Sequence, residues 1–199
     1  VQSGYKTITP IQFANALYAF NTKRISGRAL RIYFGCFVVL AAREAAKRTA
    51  QKRGRKPAQL SRYRISELSA LTELASSTVR RELRRLERAN LVSFAEQTLQ
   101  VSTSLMAGAD SLCDSLSGRR SPKRPIPVLR SVLRALAQSK RTAFSKTLIA
   151  YVVRGLTLER HTGEVRGGGS VKALWIEKAV GISLRSVKSA RKALIDARF

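Results

Sequence analysis

Between Ser76 and Val92 the chain reads SSTVRRELRRLERANLV, which gathers Arg80, Arg81, Arg84, Arg85 and Arg88 within about three helical turns. Arginine carries a permanent charge and a planar fork of N–H donors, a geometry matched to phosphate oxygens and to the acceptor edge of guanine. At ~100° per residue, Val79, Leu83 and Leu86 share one stripe of a helix, and Ser77, Arg81, Arg84, Arg85 and Arg88 fall on the opposite side. Glu82 and Glu87 lie nearer the edges of the apolar stripe. A merely solvated helix mixes its signs; this pattern predicts one that is buried along one side and cationic along the other.

The whole chain shares the bias. Thirty-eight Lys and Arg against twelve Asp and Glu leave a formal charge of +26 on 199 residues. Charge of that size opposes compaction, so an anionic partner is expected, either nucleic acid or an acidic membrane surface. A hydrophobic content of 44% is enough for the cores of one or two domains. The most apolar run, Ile32 to Ala42, is too short to span a bilayer and is flanked by Arg31 and Arg43, which predicts a buried helix and no membrane partner.

Catalytic and metal chemistry find few candidate residues. Cys36 and Cys113 are isolated and His161 is the single histidine, a spacing that supports neither a zinc site nor a disulfide framework. No metal, no cofactor and a reducing, cytoplasmic, nucleoid-associated setting are expected. A nuclease needs clustered carboxylates for metal ions, or a tyrosine with a histidine pair, so no enzymatic activity is expected. The run GEVRGGGS has no GK[ST] and does not open a helix after a strand; it is expected to be a flexible hinge, with His161 in a surface loop. A first residue of Val1 instead of Met suggests a fragment.

The elements that position the arginines follow from local signals. Thr9 before Pro10 predicts the start of a short amphipathic helix in TPIQFANALYAF, broken at Gly27. A long helix is expected from about Ala29 to Ala50, apolar at its centre and basic at its end. It passes into QKRGRKPAQLSRYR, an exposed basic loop containing Gly54 and Pro57. Ile65, Leu68, Leu71 and Leu74 then recur at three-residue steps, giving one face of a short helix with Ser66 as its cap. After the arginine-rich helix, LVSFAEQTLQVS alternates apolar and polar residues around AEQT, as a small hairpin does.

Residues 65 to 92, in this order, resemble the winged helix-turn-helix superfamily, down to the Ser-Ser-Thr-Val start of the third helix and the Leu-Val that opens the wing. The resemblance implies that Ser76 to Arg88 is a recognition helix held in the major groove of double-stranded DNA, with Ser77, Thr78, Arg80, Arg81 and Arg84 nearest the bases and Arg85 and Arg88 on the same cationic side. One residue departs from the pattern: Glu73 stands at the sharp turn where the superfamily commonly places glycine, so the turn is made otherwise or bears strain. The wing tip, Glu96 and Gln97, carries no cation, and the basic loops from Lys52 to Arg64, with Arg55, Lys56 and Arg62, and from Arg119 to Arg124 are expected to clamp the backbone instead. Tyr63 is available for stacking, whereas Trp175 is assigned to the core.

A shift of 108 residues carries Leu68 onto Ile176, Leu71 onto Ala179, Leu74 onto Ile182, Val79 onto Val187, Leu86 onto Leu194 and Leu91 onto Phe199. Phe34 and Phe144 begin similar apolar runs at a shift of 110. This points to an internal duplication, with Gly181 at the second turn. Arg185, Lys188, Ser189 and Lys192 then occupy the second recognition helix, whose lysines suit phosphate binding more than base reading. The expected fold class is mainly α: two tandem winged helix-turn-helix domains with small β-wings, related by duplication. Its expected divisions are an N-terminal helical segment (1–27), a first domain (28–103), a basic linker rich in Pro, Ser and Gly (104–127), and a second domain with a truncated wing (128–199).

The function expected from these features is sequence-specific binding of double-stranded DNA, first as a transcriptional regulator. Some plasmid and phage replication initiators are built from two tandem winged helices, and this chain is similar to them in architecture. A non-specific architectural DNA-binding protein is the third alternative, favoured by charge alone. The sequence leaves homodimerisation open.

Overall fold

The computed structural model describes residues 5–54, 63–95, 98–117, 121, 123–158, 165–167 and 171–197. Among these the protein is mainly helical. In chain order the elements are β1 (Tyr5–Ile8), α1 (Pro10–Asn21), α2 (Gly27–Lys52), α3 (Ile65–Thr72), α4 (Ser76–Arg88), β2 (Val92–Ala95), β3 (Thr98–Val101), α5 (Asp110–Ser117), β4 (Ile126–Leu129), α6 (Arg130–Gln138), α7 (Thr142–Gly155), β5 (Leu156–Leu158), β6 (Val165–Gly167), α8 (Ala173–Val180) and α9 (Leu184–Asp196). The strands form three two-stranded sheets, β1 with β4, β2 with β3, and β5 with β6.

Helix starts follow side-chain chemistry. At α1 the Thr9 hydroxyl accepts the Gln12 N–H, and the Gln12 side chain accepts the Thr9 N–H at 3.0 Å, with Pro10 in the first turn, so two of the helix's unpaired donors are satisfied together. Gly27 does not break the chain as expected. Ser26 Oγ accepts the Ala29 N–H at 3.0 Å, and α2 starts at Gly27 itself. Nor does Ser66 cap α3: the helix starts one residue earlier, behind Arg64, which makes no side-chain cap bond.

The tight turns show how strain is distributed. Glu73 ends α3 in the left-handed region at φ 54° and donates its N–H to Ser69 O, a conformation that costs an L-residue roughly 1–2 kcal/mol. The corresponding turn between α8 and α9 uses Gly181 at φ 63°, where the cost vanishes. After α4, Asn90 takes φ 55°; its N–H donates to Glu87 O at 2.8 Å and that of Leu91 to Leu86 O at 3.0 Å. This pair of bonds reverses the chain and delivers it into the β2–β3 hairpin, whose register runs from Val92 opposite Val101 to Ala95 opposite Thr98.

Two compact units result. The first gathers α2, α3, α4, the β2–β3 hairpin and α6. The middle of α2 is buried, with Tyr33, Phe34 and Phe37 stacked edge to face, and it packs against α6, α4 and α3. Gly35 lets α3 approach: a Cβ there would stand 3.2 Å from Leu68 and 3.4 Å from Leu71 and Thr72. The second unit gathers α1, α5, α7, the β5–β6 hairpin, α8 and α9.

This composition differs from four consecutive segments. Helix α6 belongs to the first unit because Val132, Leu133, Leu136 and Ala137 are buried on the side packed against α2, and Arg130 donates to Ala41 O at 2.7 Å. Helix α1 belongs to the second, where it packs against α5 and α7. The segment expected to be a linker instead supplies α5, with Cys113 and Leu116 buried. Part of the glycine-rich run expected to hinge is strand β6, paired antiparallel with β5 from Leu156 opposite Gly167 to Leu158 opposite Val165.

Each unit buries one cation at the fifth position of its central helix. Arg31 of α2 donates to Thr72 O, the last residue of α3, and through Nε to Ala137 O at 3.0 Å near the end of α6. Lys146 of α7 donates to Asn21 Oδ1 at 2.7 Å, at the last residue of α1, and lies over the Phe20 ring. Positive charge is favourable at a helix C-terminus, which offsets the desolvation that lowers the Lys146 pKa. Alignment on these residues gives a shift of 115 between α2 and α7. That registration places buried Gly35 opposite buried Ala150 and differs by five residues from the shift read from Phe34 and Phe144.

Two substitutions test these assignments by urea denaturation. Gly181→Ala has open space around its Cβ, so its expected cost of about 1 kcal/mol comes from the backbone alone. Arg31→Ala leaves carbonyls at the ends of α3 and α6 unpaired and is expected to cost roughly 3 kcal/mol.

Candidate nucleic-acid interface

Helix α4 is anchored by Val79, Leu83 and Leu86, all buried, and exposes Ser77, Arg80, Arg81, Arg84, Arg85 and Arg88, with Thr78 half-buried. The cationic side predicted from the sequence therefore faces outward. The apolar side packs on α2 and α3, and the turn held by Asn90 and Leu91 continues the same buried seam into the hairpin through Leu91, Val92 and Leu99.

Glu82, placed by periodicity near the edge of the apolar stripe, is buried beside it. It is 3% exposed and sits beneath the arginines. Its Oε2 accepts from Ser26 Oγ at 2.8 Å and pairs with Arg85 Nη1 at 3.4 Å, while Oε1 pairs with Arg81 Nε at 3.4 Å. Ser26 caps α2, so the carboxylate is linked through this hydroxyl to the start of α2. A buried carboxylate is tolerable only when so bonded. The signal available in the sequence was a single acid inside a run of arginines, with no indication that Ser26 would meet it.

In the second unit, α9 buries Val187, Ala190 and Leu194 and exposes Arg185, Lys188, Ser189 and Lys192. Ser183 Oγ accepts the Ser186 N–H, and Glu177 Oε1 accepts that of Leu184 at 2.9 Å, so two donors at the helix start are satisfied. Arg191 turns back to Val171 O and over the Tyr151 ring. The two helix pairs are equal in length, 8 residues for α3 and α8 and 13 for α4 and α9. They differ in what surrounds them: the hairpin of the first unit follows α4, whereas that of the second precedes α8.

Other predicted contacts separate. Arg55, Lys56 and Arg62, the cations Arg119 and Arg120, the wing tip Glu96 and Gln97, His161 and Phe199 lie outside the described residues. Lys123 and Arg124 are exposed, as are Lys47, Arg48, Lys52 and Arg53 at the basic end of α2. Tyr63 is half-buried against Phe94, with ring centroids 5.1 Å apart. Trp175 is not a core residue: it is half-buried, and the Arg154 guanidinium lies 4.5 Å from its ring centroid, because only Ile176, Ala179 and Val180 of α8 face inward.

Cys36 and Cys113 are free and buried, and burial pushes the Cys36 thiol up to about 12. Among the described residues no group of His, Cys, Asp and Glu is arranged to hold a metal ion, and no helix is long and apolar enough to cross a membrane. Neither family models, nor curated proteins, nor solved structures give a match to this chain.

Both cysteines are expected to resist iodoacetamide in the native protein and to react fully in denaturant, as mass spectrometry of the alkylated chain will report.

Proposed function

We propose that the protein binds double-stranded DNA sequence-specifically through two winged helix-turn-helix units and acts as a regulator of transcription. The observation that carries this is the outward face of α4, where Arg80, Arg81, Arg84, Arg85 and Arg88 are all exposed on a helix whose other side is fixed in a core. Rigid elements hold recognition groups more tightly than loops do, and arginine is the residue best able to grip both guanine and phosphate.

In this account Arg81 and Arg84 reach bases, with Ser77, Thr78 and Arg80 beside them, and Arg85 and Arg88 pair with flanking phosphates. Helix α9 presents Arg185, Lys188, Ser189 and Lys192, a set richer in lysine, and contributes phosphate contacts that fix the register. The matching helix lengths and the shared buried cation support an origin by duplication.

Selection from a random pool of duplex DNA at two salt concentrations tests the proposal. A defined site that survives higher salt is expected; an inverted repeat overlapping a promoter indicates a regulator, and tandem repeats at an origin indicate a replication initiator. Loss of affinity with salt and no enriched site contradict sequence reading and indicate an architectural protein. On the selected site, Arg81→Ala is expected to cost about 1–3 kcal/mol and to relax preference at one position, whereas Lys192→Ala weakens selected and scrambled duplexes alike.

A further inference from the structure

Helix α4 carries five exposed arginines for an anionic partner and yet buries a carboxylate on the same helix. For a surface that serves only to attract phosphate, Glu82 is a handicap: it subtracts a charge and has to be desolvated. Its geometry suggests a different use. Three donors from two elements converge on it, Ser26 Oγ at 2.8 Å, Arg85 Nη1 at 3.4 Å and Arg81 Nε at 3.4 Å. Ser26 is the N-cap of α2, where the unpaired N–H groups of the first turn favour a negative charge.

We propose that Glu82 is a positioning residue for base recognition, holding Arg81 and Arg85 in a fixed orientation before DNA arrives. This rests on the DNA-binding function proposed above. Arg81 is held through Nε, so the anchor uses neither Nη group, and its side chain stays 66% exposed. Those two nitrogens are what a guanine O6 and N7 require. Arg85 is held through one Nη and is 52% exposed. A long side chain ordered in advance loses less freedom on binding, and it rejects a wrong base because it does not re-aim to suit it. Arg80, Arg84 and Arg88 have no such partner among the described residues, so their side chains are ordered by the DNA itself.

The second helix supplies the contrast. Counted from the helix starts, Glu82 corresponds to Ala190, Arg81 to Ser189 and Arg85 to Ala193, and Ala190 is buried with no polar group to offer. Helix α9 thus has neither the anchor nor the anchored arginines. Discrimination between sequences is assigned to α4, through Glu82, and α9 contributes affinity.

The experiment measures affinities of the full chain for the selected duplex and for a scrambled duplex of equal length. Wild type, Glu82→Gln, Arg81→Ala and the double variant are compared. Gln keeps the volume and an oxygen for Ser26 but removes the charge that holds the guanidinium groups. Expected for Glu82→Gln is a fall of about tenfold in the ratio of the two affinities, with binding to the scrambled duplex undiminished. In the Arg81→Ala background the same change is expected to alter the ratio much less. Arg81→Lys, on the exposed side and therefore safe for folding, keeps the charge without the Nε anchor and is expected to lower the ratio similarly. An unchanged ratio in Glu82→Gln and in Arg81→Lys, or an equal loss on both duplexes, overturns the assignment while leaving DNA binding intact. A wild-type ratio of one refutes sequence-specific binding itself, and the assignment with it.

Discussion

A chain with 38 basic and 12 acidic residues folds against its own charge, and each packing solution in the structure reflects that constraint. Acids are too few to pair with the cations, and four of them sit at joints. Glu67 takes both of its bonds from Arg43 at 2.6–2.7 Å, Glu44 meets Lys6, Glu177 accepts at the start of α9, and Glu82 lies beneath α4. Where a cation must be buried, carbonyl oxygens take the place of carboxylates. Arg31 gathers the ends of α3 and α6, and Lys146 meets the end of α1. Among the described residues, exposed positive charge gathers on α4, α9 and the end of α2.

The same device in both units gives the architecture its logic. Each central helix buries a cation one turn from its start, and that cation meets the end of a helix contributed from elsewhere in the chain, α6 for α2 and α1 for α7. Neither half of the sequence therefore contains a whole unit. Helices α4 and α9 inherit their orientation from these cores: Leu83 and Leu86 fix the roll of α4, and Val187 and Leu194 that of α9.

Much of this was legible locally. The cap at Thr9, the bounds of α4, its exposed and buried sides, and the hairpin around AEQT follow from interactions within a few residues. What escaped depended on partners distant in sequence. Gly27 suggests a break until Ser26 is seen to cap. The region 104–127 has a linker's composition, but Cys113 and Leu116 of α5 find a core to enter. The unit to which α6 belongs depends on α2, nearly a hundred residues earlier, and no periodicity encodes it. Glu73 was recognised as anomalous, and it does occupy a left-handed turn like the one that Gly181 makes between α8 and α9. Glu82 was set at the edge of the stripe because a helical wheel shows angles and not neighbours; its role depends on Ser26, 56 residues away.

The central proposal is that Arg81, set on α4 by a packed core, reads bases in the major groove of a duplex. Protection of guanine N7 from methylation, mapped along a bound duplex at single-nucleotide resolution, tests it most directly, because N7 lies in the major groove and is blind to backbone contact. Protection is predicted at the guanines read by α4, and it is lost in Arg81→Ala on DNA that stays bound. Uniform reactivity at every guanine, on DNA that is demonstrably bound, would contradict the account and assign the arginines to the phosphate backbone alone.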